Sequence, residues 1–189
     1  MTEKLVTLFG GSGFIGRYAA RSLVEAGFRV RVAVRRPHLA GDVRLAGAPG
    51  GVDIVQANVR HKASVAAAVE GADAVVNLVG ILYEKGRQSF EGAQLDGARN
   101  VAEACHEAGI DRFVQISAIG ADVESEADYA KTKGAAEQAV RDVLPSAVIL
   151  RPSIVFGPED DFFNRFASIA SHPLSTVEPI LPAIGGGQT

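Results

Sequence analysis

Residues 5–37 read LVTLFGGSGFIGRYAARSLVEAGFRVRVAVRRP, from Leu5 to Pro37. An apolar, β-branched run leads into a glycine-rich turn. A helical stretch follows, and a second β-branched run ends in two arginines. Lys4 to Phe9 reads as strand one and Phe14 to Ala26 as a helix that Gly27 stops. Phe28 to Val34 reads as strand two.

The same alternation continues to the end of the chain. Val52 to Ala57 is predicted as strand three, after the Gly- and Pro-containing loop Gly41 to Gly51. Lys62 to Glu70 is a short helix. Ala72 to Val79 is strand four, and its unbroken apolar character suits a parallel strand covered on both faces. Phe90 to Ala108 is a long helix, Arg112 to Ser117 strand five and Ala127 to Val143 a helix that ends before Pro145. Ala147 to Leu150 is strand six and Asp161 to Ser171 a last helix. The tail Pro173 to Thr189 shows no clear element.

Such alternation predicts an α/β fold: a doubly wound parallel sheet of Rossmann type. The expected strand order is 3-2-1-4-5-6, with room for an extra strand. The expected organisation is a dinucleotide-binding domain over residues 1–158. Residues 159–189 would then begin a C-terminal region facing a substrate or partner, which stops short at Thr189.

Composition narrows the function. With 19 Lys and Arg against 22 Asp and Glu, the net charge of −3 offers no bulk attraction to nucleic acid or an anionic membrane. No apolar run approaches the ~20 residues of a membrane span. The first strand follows Met1 closely, with no signal or transit segment between. A cytoplasmic protein, or a mature form whose leader was removed, is therefore expected. Cys105 is the only cysteine, which excludes an internal disulfide and reads as a buried structural thiol. The four histidines, His38, His61, His106 and His172, are scattered without metal-ligand spacing, so no metal is expected.

Gly10, Gly13 and Gly16 give G-x-x-G-x-x-G between strand one and helix one. Glycines let the backbone turn tightly and approach a pyrophosphate without Cβ clashes. The phosphates would meet free N–H groups at the positive end of the helix. The stretch Gly10, Gly11, Ser12, Gly13, Phe14, Ile15, Gly16 is thus the predicted cofactor cradle; an ordinary tight turn is the bland alternative. At the end of strand two an acid would bond the ribose 2′-hydroxyl of NAD. Here Arg35 and Arg36 stand instead, and a guanidinium can grip a 2′-phosphate bidentately. NADP(H) is the expected cofactor, with Arg17 as a further charge. Ala57-Asn58-Val59-Arg60 follows strand three, where polar groups can meet the adenine, with Asn58 and Val59 as the expected cofactor contacts. Val79 and Gly80, after strand four, permit close approach to the cofactor's ribose.

Ser117 ends strand five, and Tyr129 and Lys133 lie four apart in YAKTK, on one face of a helix. A lysine ammonium near a phenol stabilises the phenolate and lowers the tyrosine pKa from about 10. Tyr129 could then exchange a proton with a carbonyl or alcohol while Ser117 orients the same oxygen. Lys133 would also bind the nicotinamide ribose. A surface helix with one tyrosine and two lysines is the plain alternative.

The motifs from Gly10–Gly16, Asn77–Gly80, Gly97–Asn100, Ser117, Tyr129–Lys133 and Leu150–Pro158 occur in an order that resembles the short-chain dehydrogenase/reductase superfamily, in its extended or atypical branch. That resemblance implies that Arg151 to Pro158 lines the nicotinamide end, with Pro152 and Ser153 near the carboxamide. Three stretches, VNLVGILYE, ILRPSIVFGPEDDFFNRFA and LPAIGGGQT, are similar to the NADPH-binding accessory subunits of respiratory complex I in their bacterial form. This narrower resemblance implies a tightly held NADPH that is not turned over. It also implies complex I subunits as partners and a peripheral place on the cytoplasmic side of the inner membrane. The chain departs from sugar-epimerase relatives in a shorter loop between Ser117 and Tyr129, and in Phe156 where they often carry tyrosine. Two functions therefore stand: a structural NADPH-holding subunit, or an NADP(H)-dependent reductase or epimerase acting on a small-molecule ketone or sugar nucleotide through Ser117, Tyr129 and Lys133.

Overall fold

The structure, a computed structural model, describes residues 3–86 and 88–170. His172 and the tail motif LPAIGGGQT lie outside the described residues. Six parallel strands form one sheet: β1 (Leu5–Phe9), β2 (Arg29–Val34), β3 (Val52–Gln56), β4 (Ala74–Asn77), β5 (Phe113–Ile116) and β6 (Val148–Leu150). Their order is β3-β2-β1-β4-β5-β6, as the alternation predicts, and no further strand pairs with them among the described residues. The helices are α1 (Phe14–Glu25), α2 (Lys62–Val69), α3 (Asp96–Glu107), α4 (Asp128–Val143) and α5 (Asp161–Ala170). By contact density the chain divides into two units, Met1–Ser153 and Ile154–Thr189.

Strand side chains alternate between two cores. Val6 and Leu8 of β1 and Val30, Val32 and Val34 of β2 pack with Ala20 and Leu23 of α1. Phe9, Ala33, Val75 and Phe113 point the other way, against Val65 and Val69 of α2, Val101 and Cys105 of α3 and Val140 of α4. Both sheet faces are thus covered, which is why the strands read as continuous apolar runs. Burial pushes the Cys105 thiol up to about 12, in keeping with a packing role. Several polar groups in and beside this interior are paired. Thr7 Oγ1 donates to the Ala68 carbonyl at 3.0 Å, and Arg31 Nη1 donates to the carbonyls of Ala68 and Glu70 at 2.9 and 2.7 Å, closing the end of α2.

Gly27 ends α1 as expected. It sits at φ +85°, and the Phe28 N–H reaches back to the Leu23 carbonyl at 3.0 Å. Only glycine takes this left-handed turn without strain.

Two expectations shift. Strand β4 is shorter than Ala72 to Val79. At its start the Ala72 N–H turns back to the Val69 carbonyl at 3.0 Å. At its end Asn77 Oδ1 captures the Val79 N–H at 3.1 Å, so both flanks leave the ladder. The long helix does not begin with α-helical turns: Glu91–Leu95 forms a π-helical turn before α3. The loop after β2 also holds two 3₁₀ turns, Pro37–Leu39 and Gly41–Ala46.

Strand β6 is the sheet edge, with Val148 and Leu150 about half exposed, at 52% and 48%. In the second unit, the N-terminal side of α5 is held by Asp160. Its Oδ1 accepts from the Phe163 N–H at 2.6 Å and its Oδ2 from the Gly157 N–H at 3.2 Å. No helix among the described residues is long and apolar enough to cross a membrane.

Candidate functional site

The strands end in step at one edge of the sheet. Phe9 pairs with Ala33 on one side and Asn77 on the other, and Val34 pairs with Gln56. Neighbouring connections leave in opposite directions at the β1–β4 boundary, which opens a crevice there. A cleft of about 250 Å³ lies in it.

The glycine turn forms one wall. Gly10 has φ +77°, and a Cβ on it would lie 3.2 Å from the backbone of Leu78 and Val79. A Cβ on Gly16 would lie 2.5 Å from the Gly10 carbonyl oxygen and 2.6 Å from Gly11 Cα, so α1 rests directly on the turn. Gly13 caps α1 without a side-chain hydrogen bond, and no acid stands in the first turn. The opening amides of α1 thus lack acceptors within the helix. Together these features fit a diphosphate: a cradle that side chains would fill, with a field that favours an anion. Gly10, Ser12 and Gly13 line the cleft, while Gly11 packs inward, where a Cβ would come within 2.9 Å of Val32. Phe14 and Ile15 open the helix behind them.

Across the cleft stand the exits of β2 and β3. Arg35, Asn58 and Val59 line it, as do Val79 and Gly80 from the β4 exit. Arg36 is exposed and is not part of the lining. Arg35 Nη1 donates to the side-chain carbonyl of Gln88, which reaches over from the β4–α3 loop and also lines the cleft. Asn58 is fixed from both sides. The Ser64 hydroxyl accepts its N–H at 3.0 Å, and its own Oδ1 accepts from the Arg60 N–H at 3.2 Å. Buried Asn100 donates to the Val59 carbonyl at 2.8 Å. Among the described residues, the lining holds the guanidinium groups of Arg35 and Arg60 and no carboxylate. The sequence places Arg60 in a segment that meets the adenine, and the structure puts it in the lining beside Arg35; Gln88 carries no sequence signal, because only the sheet order brings its loop beside β2.

Lys133 and Tyr129 project from α4 toward the β4 and β5 exits. Lys133 Nζ donates to the Ile116 carbonyl at 3.3 Å and lies 3.3 Å from where a Gly80 Cβ would be. The lysine therefore meets the cleft through Gly80. It is buried, at 5% exposure, and burial pulls its ammonium down to about 8 against the opposing charge of Glu137. Its nitrogen stands 6.0 Å from the Tyr129 ring centroid, and Tyr129 stacks edge-on with Phe90 at 5.9 Å. Burial raises the Tyr129 hydroxyl, where the sequence predicts lowering by the lysine. The ammonium is directed at a backbone carbonyl, and desolvation dominates the phenol.

The Ser117 oxygen is buried without a hydrogen bond of good geometry, close enough to Glu137 to favour that carboxylate's charged form. Burial acts to raise Glu137. The Arg151 hydrogen bonds and the nearby Ser117 hydroxyl, with the charges of Arg151 and Arg141, outweigh it and hold the carboxyl below its usual range. Arg151 grips it bidentately at 2.8 and 2.6 Å. Pro152 follows; its carbonyl accepts from the Ile119 N–H at 2.9 Å. Ser153 is exposed, and neither Pro152 nor Ser153 lines the cleft.

The buried lysine has a measurable signature. Its folded-state pKa of about 8 lies below the ordinary 10.5, so folding disfavours its charge. That cost is fully present below about pH 8 and is relieved as the pH rises toward 10.5. Relative to Lys133→Met, the wild type should gain up to about 3 kcal/mol across this window in denaturant unfolding. Cys105 and Tyr129 titrate in both proteins and cancel in the difference. A flat difference would mean that the ammonium is solvated.

The family model for NAD(P)H-binding proteins matches residues 10–160. The chain belongs to the NAD(P)H-binding family. Among this family member's relatives is a mitochondrial protein of Mus musculus, subunit 9 of the NADH dehydrogenase [ubiquinone] 1 alpha subcomplex. It is 36% identical over 169 residues, 87% of this chain and 44% of the relative. A ceramide reductase of Caulobacter vibrioides is 32% identical over 95% of this chain and 54% of its own length. The chain spans about half the length of these curated relatives. Among solved structures, a Bacillus halodurans protein assigned by name alone to the NAD-dependent epimerase/dehydratases superposes with a TM-score of 0.72 at 25% identity, covering 84% of this chain and 74% of that one. The resemblance to extended short-chain dehydrogenases/reductases and to complex I subunits holds for this NAD(P)H-binding chain.

Proposed function

We propose that this chain is the nucleotide-binding part of an accessory subunit of NADH:ubiquinone oxidoreductase, and that it holds NADPH without turnover. The observation that carries the cofactor choice is a cleft whose described lining holds Arg35 and Arg60 and no carboxylate, at the strand ends where an acid would select the unphosphorylated ribose. Support for the assembly role comes from the relative in the mouse 1 alpha subcomplex.

In this reading Gly10 to Gly16 hold the diphosphate and Arg35 the 2′-phosphate. Asn58 and Val59 flank the adenine. Val79, Gly80 and Lys133 approach the nicotinamide ribose, with Pro152 and Ser153 toward the carboxamide. Partners are complex I subunits, met peripherally on the cytoplasmic side of the inner membrane. The C-terminal region from residue 159 would face them.

The test is nucleotide release from the purified full-length protein, analysed by mass spectrometry with its redox state. We expect near-stoichiometric NADPH that stays reduced across a broad carbonyl panel, in a protein that comigrates with complex I. Bound NADH, or no dinucleotide, overturns the cofactor assignment; sustained NADPH oxidation overturns the structural role.

A second reading is favoured by one observation, the shared α4 face of Tyr129 and Lys133 beside Gly80, and by the reductase among the relatives. It makes the chain part of an NADP(H)-dependent reductase, with Tyr129 as proton donor and Ser117 and Lys133 supporting it. Turnover that disappears in Tyr129→Phe would establish it.

A further inference from the structure

Arg60 is the cleft arginine that the strand-two reading does not contain. It leaves β3, the strand hydrogen-bonded to β2, with Val34 opposite Gln56 and the Ala57 N–H donating to the Val34 carbonyl at 2.9 Å. Its loop therefore emerges beside the loop that carries Arg35. Its backbone is fixed by Asn58 Oδ1, and its aliphatic stem lies against the π-helical turn, where a Cβ on Gly92 would stand 3.5 Å from Arg60 Cδ. The residue is half-buried, and it shares the cleft lining with Arg35 while Arg36 does not.

Two guanidinium groups on adjacent strand exits, with no acid among the described lining residues, form a site for a doubly charged phosphate rather than a hydroxyl. We infer that Arg60, not Arg36, is the second cation reading the 2′-phosphate of the adenosine. This rests on the NADPH reading above and adds a specificity residue to it. Arg35 supplies the exposed arm of the clamp. Arg60 supplies the preorganised one, because its stem is packed and its loop is pinned at both Asn58 and Val59. Its planar head on a fixed stem suits bidentate contact.

The test measures binding of 2′,5′-ADP and 5′-AMP, and of NADPH and NADH, to the full-length protein by calorimetry. In Arg60→Gln we expect affinity for 2′,5′-ADP and NADPH to fall roughly 10- to 100-fold. Affinity for 5′-AMP and NADH should stay within about twofold. Arg60→Lys should recover part of the loss, and Arg36→Gln should leave all four ligands within about twofold. An equal loss for phosphorylated and plain ligands would place Arg60 on the adenine and overturn the inference. No loss at all, or selectivity lost in Arg36→Gln instead, overturns it equally. A wild type that shows no preference for NADPH would defeat the NADPH reading itself, whatever the variants do. Unchanged thermal midpoints of the variants exclude misfolding as the cause.

Discussion

Gly16→Val should abolish dinucleotide binding and destabilise the fold. The first atom added to Gly16 would sit 2.5 Å from the Gly10 carbonyl oxygen and 2.6 Å from Gly11 Cα, and valine adds two more. These neighbours are backbone, so no rotamer relieves the clash. Helix α1 must lift from the turn, carrying its amides away from the place where a diphosphate would meet them. Overpacking of this kind costs about 3 kcal/mol. Displaced amides should weaken NADPH binding by at least roughly 100-fold. Urea unfolding and calorimetry read the two effects separately. Gly27→Ala is the control: it stands at φ +85° in open space, so it should lose stability but keep affinity. A Gly16→Val protein that binds NADPH normally would show that the seating of α1 on the turn does not build the cleft.

Phe9→Ala should cost about 3–5 kcal/mol of stability. Phe9 is 1% exposed, sits in the core under α2, α3 and α4, and also lines the cleft. Its removal leaves a ring-sized void where three strands end together. The glycine turn follows it directly, so the floor of the cleft should sag and NADPH affinity should fall alongside stability. Val148→Ala, on the half-exposed edge strand, should change stability by less than about 0.5 kcal/mol. A Phe9→Ala loss below that of Val148→Ala would mean that the two cores do not share their load at β1.

Much of this was legible from residues alone. Strand order followed from the alternation of apolar and helical runs, since parallel strands need crossovers and right-handed crossovers leave few topologies. The glycine turn declared itself by its place between a strand and a helix. What escaped the reading depends on direction. Arg35 and Arg36 are equal in a string of letters, but side chains alternate along an extended chain. One faces the cleft and the other faces solvent. Arg60 reads from the sequence as a residue near the adenine, but that it stands beside Arg35 comes only from the sheet order. Tyr129 and Lys133 were correctly placed on one face. Spacing, however, could not say that the ammonium would point at the Ile116 carbonyl or that the Ser117 oxygen would be buried near Glu137. The π-helical turn before α3 left no periodic signal, because one widened turn hardly changes the pattern.

Asn77 and Gln115 carry a consequence for how the chain finds its alignment. Their side chains meet across β4 and β5 at 2.9 Å in a buried layer, and each amide has further partners in Val79 and Ile116. A slip of β5 by two residues would keep every side chain on its proper face, yet in one direction it would set Asn77 opposite Phe113 and Gln115 opposite Val79. Asn77 Nδ2 and Gln115 Oε1 would then lose each other as partners, at about 1–3 kcal/mol for each buried group. The hydrocarbon layers alone would tolerate that misthreading; the amide pair forbids it, and so acts as a molecular keyway cut beside the nucleotide crevice.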